Sequence, residues 1–380
     1  MSVKRKGSES EDAILLKNMV YTLGNKLGFI SDTEIKQYTT NIRFESEYEP
    51  EIDAVWYYDL SKIIDASKIE IINKQFESND LHFFPLVGFE IEASDPTSKT
   101  QLSNAANLYL QHYPYGFIII DENKAKKDLY HRAAGILRTF RFQYGQVNYL
   151  PLSKGQLEKI LKFEWKNKKE DIFKFEKVKL SKGSGGEVGD AKIIRDKLTQ
   201  LGDIAGFNIY HDWSPEDLSY DYQLRKDTLK ALSSPSESIE RFLGKKVSWN
   251  PNDPKIINRW YQFYIRPKID VIWSIGLSLR FYEFYMELLN LEPDFKYNLP
   301  IYRDPSKPFP IIGFEIESSI GKHAGGGILN LAKYTHFGFI ITQQKNIDLL
   351  NKRIKTYSRS LGINNVYPLS IEELSKYEIN

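Results

Sequence analysis

The chain is predicted to be an α/β protein of two tandem units, each an α-β-β-α-β-α-β run forming an α+β mixed sheet with helices on its faces. Three observations predict it. A series of landmarks occurs twice in the same order. Within each series, apolar residues at helical spacing alternate with short runs rich in Val, Ile, Phe and Trp. The run Gly-Phe-Glu-Ile-Glu stands at the same place in both series.

The duplication comes first, because a missed repeat misassigns a fold. Asp12-Ala13, Leu23-Gly24 and Gly28-Phe29 return as Asp190-Ala191, Leu201-Gly202 and Gly206-Phe207, all at an offset of 178. Pro50-Glu51-Ile52-Asp53-Ala54-Val55-Trp56 matches Pro267-Lys268-Ile269-Asp270-Val271-Ile272-Trp273, at an offset of 217, so the second copy holds 39 more residues in between. Phe84 to Glu92 pairs with Phe309 to Glu317, and Asn107-Leu108 with Asn330-Leu331. Gly116 to Ile119 pairs with Gly338 to Ile341, and Tyr149 to Ser153 with the stretch ending at Ser370. The first repeat therefore spans 1–182, with a linker at 159–182, and the second spans 183–380, with an insertion of helices and loops at about 208–264. The boundary falls near Gly183, beside Ser184-Gly185-Gly186. The insertion holds Trp213, Trp249 and Trp260 among many charges.

Each element follows from its residues. Ile14, Leu15, Val20, Leu23 and Leu27 make an opening helix that glycine closes. The runs 52–58 and 86–92 predict central strands. A helix over 102–111 feeds a buried strand at 116–120, and a helix over 126–142 precedes a last strand at 147–150.

Composition sets the outer bounds. With 41% hydrophobic and 27% charged residues and no long apolar run, the chain reads as soluble, without a membrane partner. The polar start from Met1 to Asp12 predicts no secretory signal, and zero cysteines exclude disulfides, thiolate-zinc sites and a cysteine nucleophile. Both fit a cytoplasmic protein. A net charge of only +2 confines any nucleic-acid footprint to local patches.

The chemistry rests on the repeated acids. Side chains alternate along a strand, so Glu90 and Glu92 project to one side while Phe89 and Ile91 project to the other. Two like charges against apolar surroundings need protons, basic partners or a bound cation. Asp53 on the preceding strand completes a three-carboxylate cage, and Asp270, Glu315 and Glu317 do so in the second copy. Hard oxygen ligands of this kind suit Mg²⁺ or Mn²⁺, with water positions left open for a phosphate.

This pattern resembles the PD-(D/E)XK nuclease superfamily, in its Glu-x-Glu variant seen in some type II restriction endonucleases. Pro50 and Asp53, like Pro267 and Asp270, stand where that family has its Pro-Asp element, with two residues between them. The usual lysine is Glu92 or Glu317 here, so the resemblance leaves the base to that second Glu or to a lysine moved in from Lys99 or Lys322. It also implies a further acidic metal ligand at the first helix, where Glu9 and Glu187 stand. The implied activity is a Mg²⁺-dependent, restriction-type endonuclease on double-stranded DNA. Two active sites in one chain would act as a pseudo-dimer that works as a monomer. The alternatives are a catalytically degenerate nucleic-acid-binding protein, and a nuclease acting on RNA or on DNA ends.

Weaker signals concern the partner. Lys124, Lys126, Lys127, Arg132, Arg138 and Arg141 with Tyr130, Phe140 and Phe142, and again Lys352, Arg353, Lys355 and Arg359, would give basic stripes for a phosphate backbone or simply solvated helix faces. The glycines after Lys322-His323 match no phosphate loop and read as a flexible loop.

Overall fold

A computed structural model describes residues 10–36, 51–74, 83–93, 98–110, 113–123, 129–144, 148–175, 190–213, 268–291, 305–317, 323–361, 363 and 365–377. In the first copy, helix α1 (Glu11–Leu27) begins where the Ser10 hydroxyl accepts the Ala13 amide at 3.2 Å. It ends at Gly28, whose φ of 94° lets the chain turn back under the last carbonyls. The buried face carries Leu16, Val20, Leu23 and Leu27 around Gly24, whereas Leu15 is exposed. A Cβ on Gly24 would lie 2.5 Å from Nε1 of Trp56, so the Leu-Gly landmark is the slot that the indole occupies. That indole donates to the Val20 carbonyl at 3.1 Å.

The sheet of the first copy follows. Strands β1 (Ile30–Lys36), β2 (Glu51–Asp59) and β3 (Phe83–Glu92) are antiparallel, with two 3-10 turns and the one-turn helix α2 (Glu70–Asn73) between the second and third. Helix α3 (Ser98–Leu110) crosses to β4 (Tyr115–Ile120), and α4 (Leu129–Tyr144) crosses to β5 (Asn148–Ser153). Both later strands run parallel to β3, as helical crossovers require. Helix α5 (Lys154–Leu161) closes the copy with a capping box between Ser153 and Gln156.

The second copy repeats this order: α6 (Asp190–Ile204), β6 (Asn208–Trp213), β7 (Ile269–Ile275), α7 (Leu279–Leu291), β8 (Phe309–Ile316), α8 (His323–Tyr334), β9 (Phe337–Thr342), α9 (Ile347–Leu361), β10 (Val366–Ser370) and α10 (Ile371–Lys376). Gly206 stands at φ 94° like Gly28, and a Cβ on Gly202 would lie 2.6 Å from Nε1 of Trp273. The two five-stranded sheets have the orders β1-β2-β3-β4-β5 and β10-β9-β8-β7-β6. Each has its register shift at the residue after the tryptophan, between Trp56 and Tyr57 and between Trp273 and Ser274.

Three expectations change. Among the described residues the element order gains an edge strand after the first helix and a closing helix, α-β-β-β-α-β-α-β-α in each copy, with the short α2 added in the first and α7 in the second. The edge strand escapes a search for apolar runs because β1 carries Asp32, Glu34 and Lys36 and stands at the end of its sheet. The predicted insertion at 208–264 begins inside strand β6, and residues 214–264 with Trp249 and Trp260 lie outside the described residues. The predicted linker at 159–182 begins inside helix α5, and its described part is docked: the Phe173 amide donates to the Leu277 carbonyl at 2.9 Å and the Leu279 amide to the Asp171 carbonyl at 2.8 Å. The boundary at Gly183 falls outside the described residues.

Contacts divide the chain into one body, residues 1–211 with 269–380, and a smaller unit, 212–268. Of the smaller unit Asp212, Trp213 and Lys268 are described, and Lys268 Nζ lies 3.8 Å from Asp212 Oδ1. Within the larger body the two copies share one apolar core. Helix α7 lays Phe281 against Phe29 at 5.4 Å and Tyr115 at 5.0 Å between ring centroids, and Phe284 against Trp56 at 5.5 Å. In return, the segment after β2 reaches the second copy, where the Asp65 amide donates to the Ala205 carbonyl at 2.9 Å. A second, smaller core lies in the first copy and joins Ile52 and Val55 to Leu108 of α3 and Leu137 of α4. Among the described residues no helix is long and apolar enough to cross a membrane.

Candidate functional site

The repeated register positions the acids. Ala54 pairs with Phe89 and Val271 with Phe314, which sets Asp53 beside Glu90 and Asp270 beside Glu315 across antiparallel strands. In the first copy, Asp53 Oδ2 accepts the Ile91 amide at 2.7 Å, and its Oδ1 lies 3.2 Å from Lys17 Nζ. In the second, Asp270 Oδ2 accepts the Ile316 amide at 2.8 Å, and its Oδ1 lies 2.5 Å from Arg195 Nη2. Lys17 and Arg195 are separated by the same offset of 178 as the helix landmarks. The first helix of each copy therefore delivers a buried cation to the strand aspartate.

The glutamates differ between copies. Glu90 and Glu92 are buried, at 5% and 8% exposure. Asn107 Nδ2 donates to Glu90 Oε1 at 3.1 Å, and Asn104 Nδ2 donates to Glu92 Oε1. Both amides come from α3, one turn apart, so they face the strand together. Glu315 and Glu317 are half-buried. Aligned on Asn107 and Asn330, helix α8 presents Gly327 where α3 presents Asn104, and a Cβ on Gly327 would stand 3.4 Å from Glu315 Cγ. Glu317 follows the end of β8, its amide donating to the Ile341 carbonyl at 2.9 Å and its carbonyl accepting from Thr342 Oγ1 at 2.8 Å.

Burial dominates the electrostatics. Desolvation, and then the Asp53 carboxylate against it, hold Glu90 well above the usual carboxylate range, with Asn107 pulling the other way. Burial also raises Glu92, against the opposing pull of Asn104. Glu315 is pushed up to about 9 by burial first and by Asp270 next, with Arg195 opposing. Two carboxyl groups that meet in a half-dry site require a proton or a cation between them.

The expected three-carboxylate cage is only partly assembled. Asp and the first Glu meet in both copies, but among the described residues no three acids or histidines gather as a metal-holding group. Two carboxylates are nonetheless a sufficient protein share for Mg²⁺, which keeps several waters and takes its remaining ligands from phosphate. The residues present fit such an ion through Asp53 with Glu90 and through Asp270 with Glu315.

The other predicted residues are dispersed. Lys99 belongs to α3, but its side chain lies outside the described residues, as do Glu9, Glu187 and Lys322 altogether. His323 opens α8, so the glycines after it are helical where a loop was expected. Lys124, Lys126 and Lys127 lie outside the described residues, as do the side chains of Arg138 and Arg141, whereas Arg132 is exposed. On α9, Lys352, Lys355 and Arg359 are exposed and Arg353 is half-buried.

Sequence reasoning missed Lys17, Arg195, Asn104 and Asn107. One signal was readable: a basic residue at the same place in both copies, three residues before Val20 or Leu198 on the apolar side of an amphipathic helix. No family of proteins, curated protein or solved structure matches this chain.

Proposed function

We propose that the chain is a divalent-metal-dependent endonuclease of the PD-(D/E)XK, restriction type acting on double-stranded DNA, with one acid centre in each copy and the paired copies serving as a built-in pseudo-dimer. The observation that carries this reading is that one arrangement is built twice. A strand aspartate is pinned by a backbone amide of the next strand, abuts a glutamate of that strand, and receives a cation from the first helix. The order of helix, three antiparallel strands, helix and parallel strand supports the same reading.

In this reading Asp53 with Glu90, and Asp270 with Glu315, hold Mg²⁺ or Mn²⁺. The ion supplies polarisation of the scissile phosphate and a water of lowered pKa. The amides of Ile91 and Ile316 fix the aspartates, so their second oxygens keep one orientation. Lys17 and Arg195 offset negative charge beside the carboxylates, and the Arg195 guanidinium serves only as a charge and donor. Glu317, half-exposed and two residues beyond Glu315, accepts the proton of the attacking water. The exposed cations of α9 supply phosphate contacts.

Supercoiled plasmid, linear duplex, single-stranded DNA and RNA, each digested in parallel with Mg²⁺ and with chelator, test the proposal. Mg²⁺-dependent internal cleavage of the duplex is expected. Cleavage confined to RNA or to DNA ends would redirect it.

A second reading is favoured by the ion pairs themselves. Lys17 and Arg195 already compensate one carboxylate in each copy, which suits a chain that grips nucleic acid without cutting it. Calorimetric titration with MnCl₂ separates the two, since the second reading expects no heat of binding.

A further inference from the structure

We infer that the segment leading from the first copy towards the second is a contact surface for the phosphate backbone of duplex DNA, carried by Lys162, Lys166, Lys168 and Lys169. The inference rests on the nuclease reading above for the nature of the polyanion, and on the fold for the surface itself.

The segment leaves helix α5 beside the end of α1. Exposure alternates along its first part: Lys162, Glu164, Lys166 and Lys168 are exposed, whereas Phe163, Trp165 and Asn167 are half-buried. The inward residues anchor it. Phe163 and Trp165 meet at 4.8 Å between ring centroids, and Trp165 packs against the shared core. Asn167 Nδ2 donates to Glu283 Oε1 at 2.7 Å, and the Asn167 carbonyl accepts from Arg280 Nε at 2.9 Å. Arg280 Nη1 donates to the Lys26 carbonyl at 2.7 Å, and Lys26 Nζ to the Leu161 carbonyl at 2.8 Å, so α1, α7 and the segment are tied together. Lys169 stands at the same end of α1, since a Cβ on Gly28 would lie 3.0 Å from its Cβ.

The four lysines take no part in this network. Among the described residues, none of their ammonium groups forms an ion pair or a hydrogen bond. Elsewhere Lys62, Lys74 and Lys154 do pair, with Asp59, Glu70 and Asp121. Glu164 and Glu170 are the exposed acids within the segment, and Asp171 accepts the Lys168 amide at 3.0 Å. Cations on an anchored backbone bind a polyanion without the cost of ordering the chain, and each phosphate they neutralise releases counterions. The matching end of α6 is covered differently, by the Ile63 carbonyl over Gly206 and the Asp65 amide on the Ala205 carbonyl. The lysine surface is therefore no by-product of the duplication. Lys26 lies nine residues along α1 from Lys17, about 13.5 Å, which separates the surface from Asp53 and gives it the role of a grip.

The test is equilibrium binding of a fluorescent duplex to the full chain in chelator at several salt concentrations. The variant combines Lys162→Gln, Lys166→Gln, Lys168→Gln and Lys169→Gln. Its affinity is expected to fall about tenfold or more for every sequence alike, and the slope of log K against log salt to fall by about three to four. Arginine at the same four positions keeps the charge and is expected to keep both, with all three proteins melting alike. An unchanged slope in the glutamine variant, while the wild type binds the duplex, would overturn this surface and leave the nuclease reading in place. Weakened binding of heparin with duplex binding intact would do the same. An absence of duplex binding by the wild type would overturn both.

Discussion

Lys17 sits on the buried face of a helix, where an ammonium persists because Asp53 faces it at 3.2 Å. Removing one partner of such a pair leaves the other charged and poorly solvated. Lys17→Met is therefore expected to destabilise the fold by about 3 kcal/mol in urea unfolding, the low end for a buried pair because Asp53 keeps 29% of its side chain exposed. Lys17→Arg, which copies the second half, should retain most of that stability. Added Mg²⁺ should restore part of the loss in Lys17→Met, since an ion at Asp53 replaces the missing charge. Glu315 gives a pH prediction. A carboxyl whose pKa is raised in the fold favours folding while it stays protonated, so its contribution is intact below about 4.5 and is lost as pH rises towards about 9. In chelator, the urea midpoint should fall across that window in the wild type and fall less in Glu315→Gln. An equal slope in both proteins would show that Glu315 is not the group under strain.

At the scale of elements, most of the architecture was legible because it depends on strong local signals. Trp56, Phe89 and Phe117 form one series of aromatic contacts across the sheet, and Trp273, Phe314 and Phe339 form its duplicate, so the apolar strands declare themselves by composition. The edge strands did not, because a strand at the end of a sheet is rich in polar and charged residues, as ISDTEIK and NIYHDW are here. The strand acids were legible for the same reason as the apolar strands, through repetition within an unusual context. Of their partners, Lys17 left one trace, a basic residue repeated as Arg195 on the apolar side of the helix, whereas Asn104 left none, because it matters only through a tertiary contact that no spacing within one helix encodes. Helix α9 belongs to this scale as well. Lys352, Lys355 and Arg359 lie at helical spacing and are exposed, with Asp348 the acid of its first turn. Charge reversal of Lys352 and Lys355 together should weaken duplex binding for every sequence alike and reduce the salt dependence by about two phosphate contacts, read from binding isotherms at several salt concentrations. Loss of preference for one sequence, with the salt slope unchanged, would place base reading there instead.

Across the whole molecule, the two copies are joined by a core that neither could complete alone. Helix α7 fills the first copy's sheet face through Phe281, Phe284 and Tyr285, all buried, while Phe84 packs on Phe309 and His336 of the second copy. Phe281→Ala should cost about 3–5 kcal/mol and lower the melting of both copies in one transition, because its ring contacts Phe29 and Tyr115 of the other copy. Two separated transitions in calorimetry would mean that the copies fold independently. In the proposed reading, this shared core holds the two acid centres in one body, as a single chain cutting both strands of a duplex would need. The most direct measurement is a time course on supercoiled plasmid with Mg²⁺, comparing the wild type with the double variant Asp53→Asn, Asp270→Asn. Open-circular and then linear DNA is expected from the wild type with Mg²⁺, and neither product with chelator or with the double variant. Intact plasmid with the wild type, or equal cleavage by the double variant, would contradict the assignment of the duplicated acids to phosphodiester cleavage.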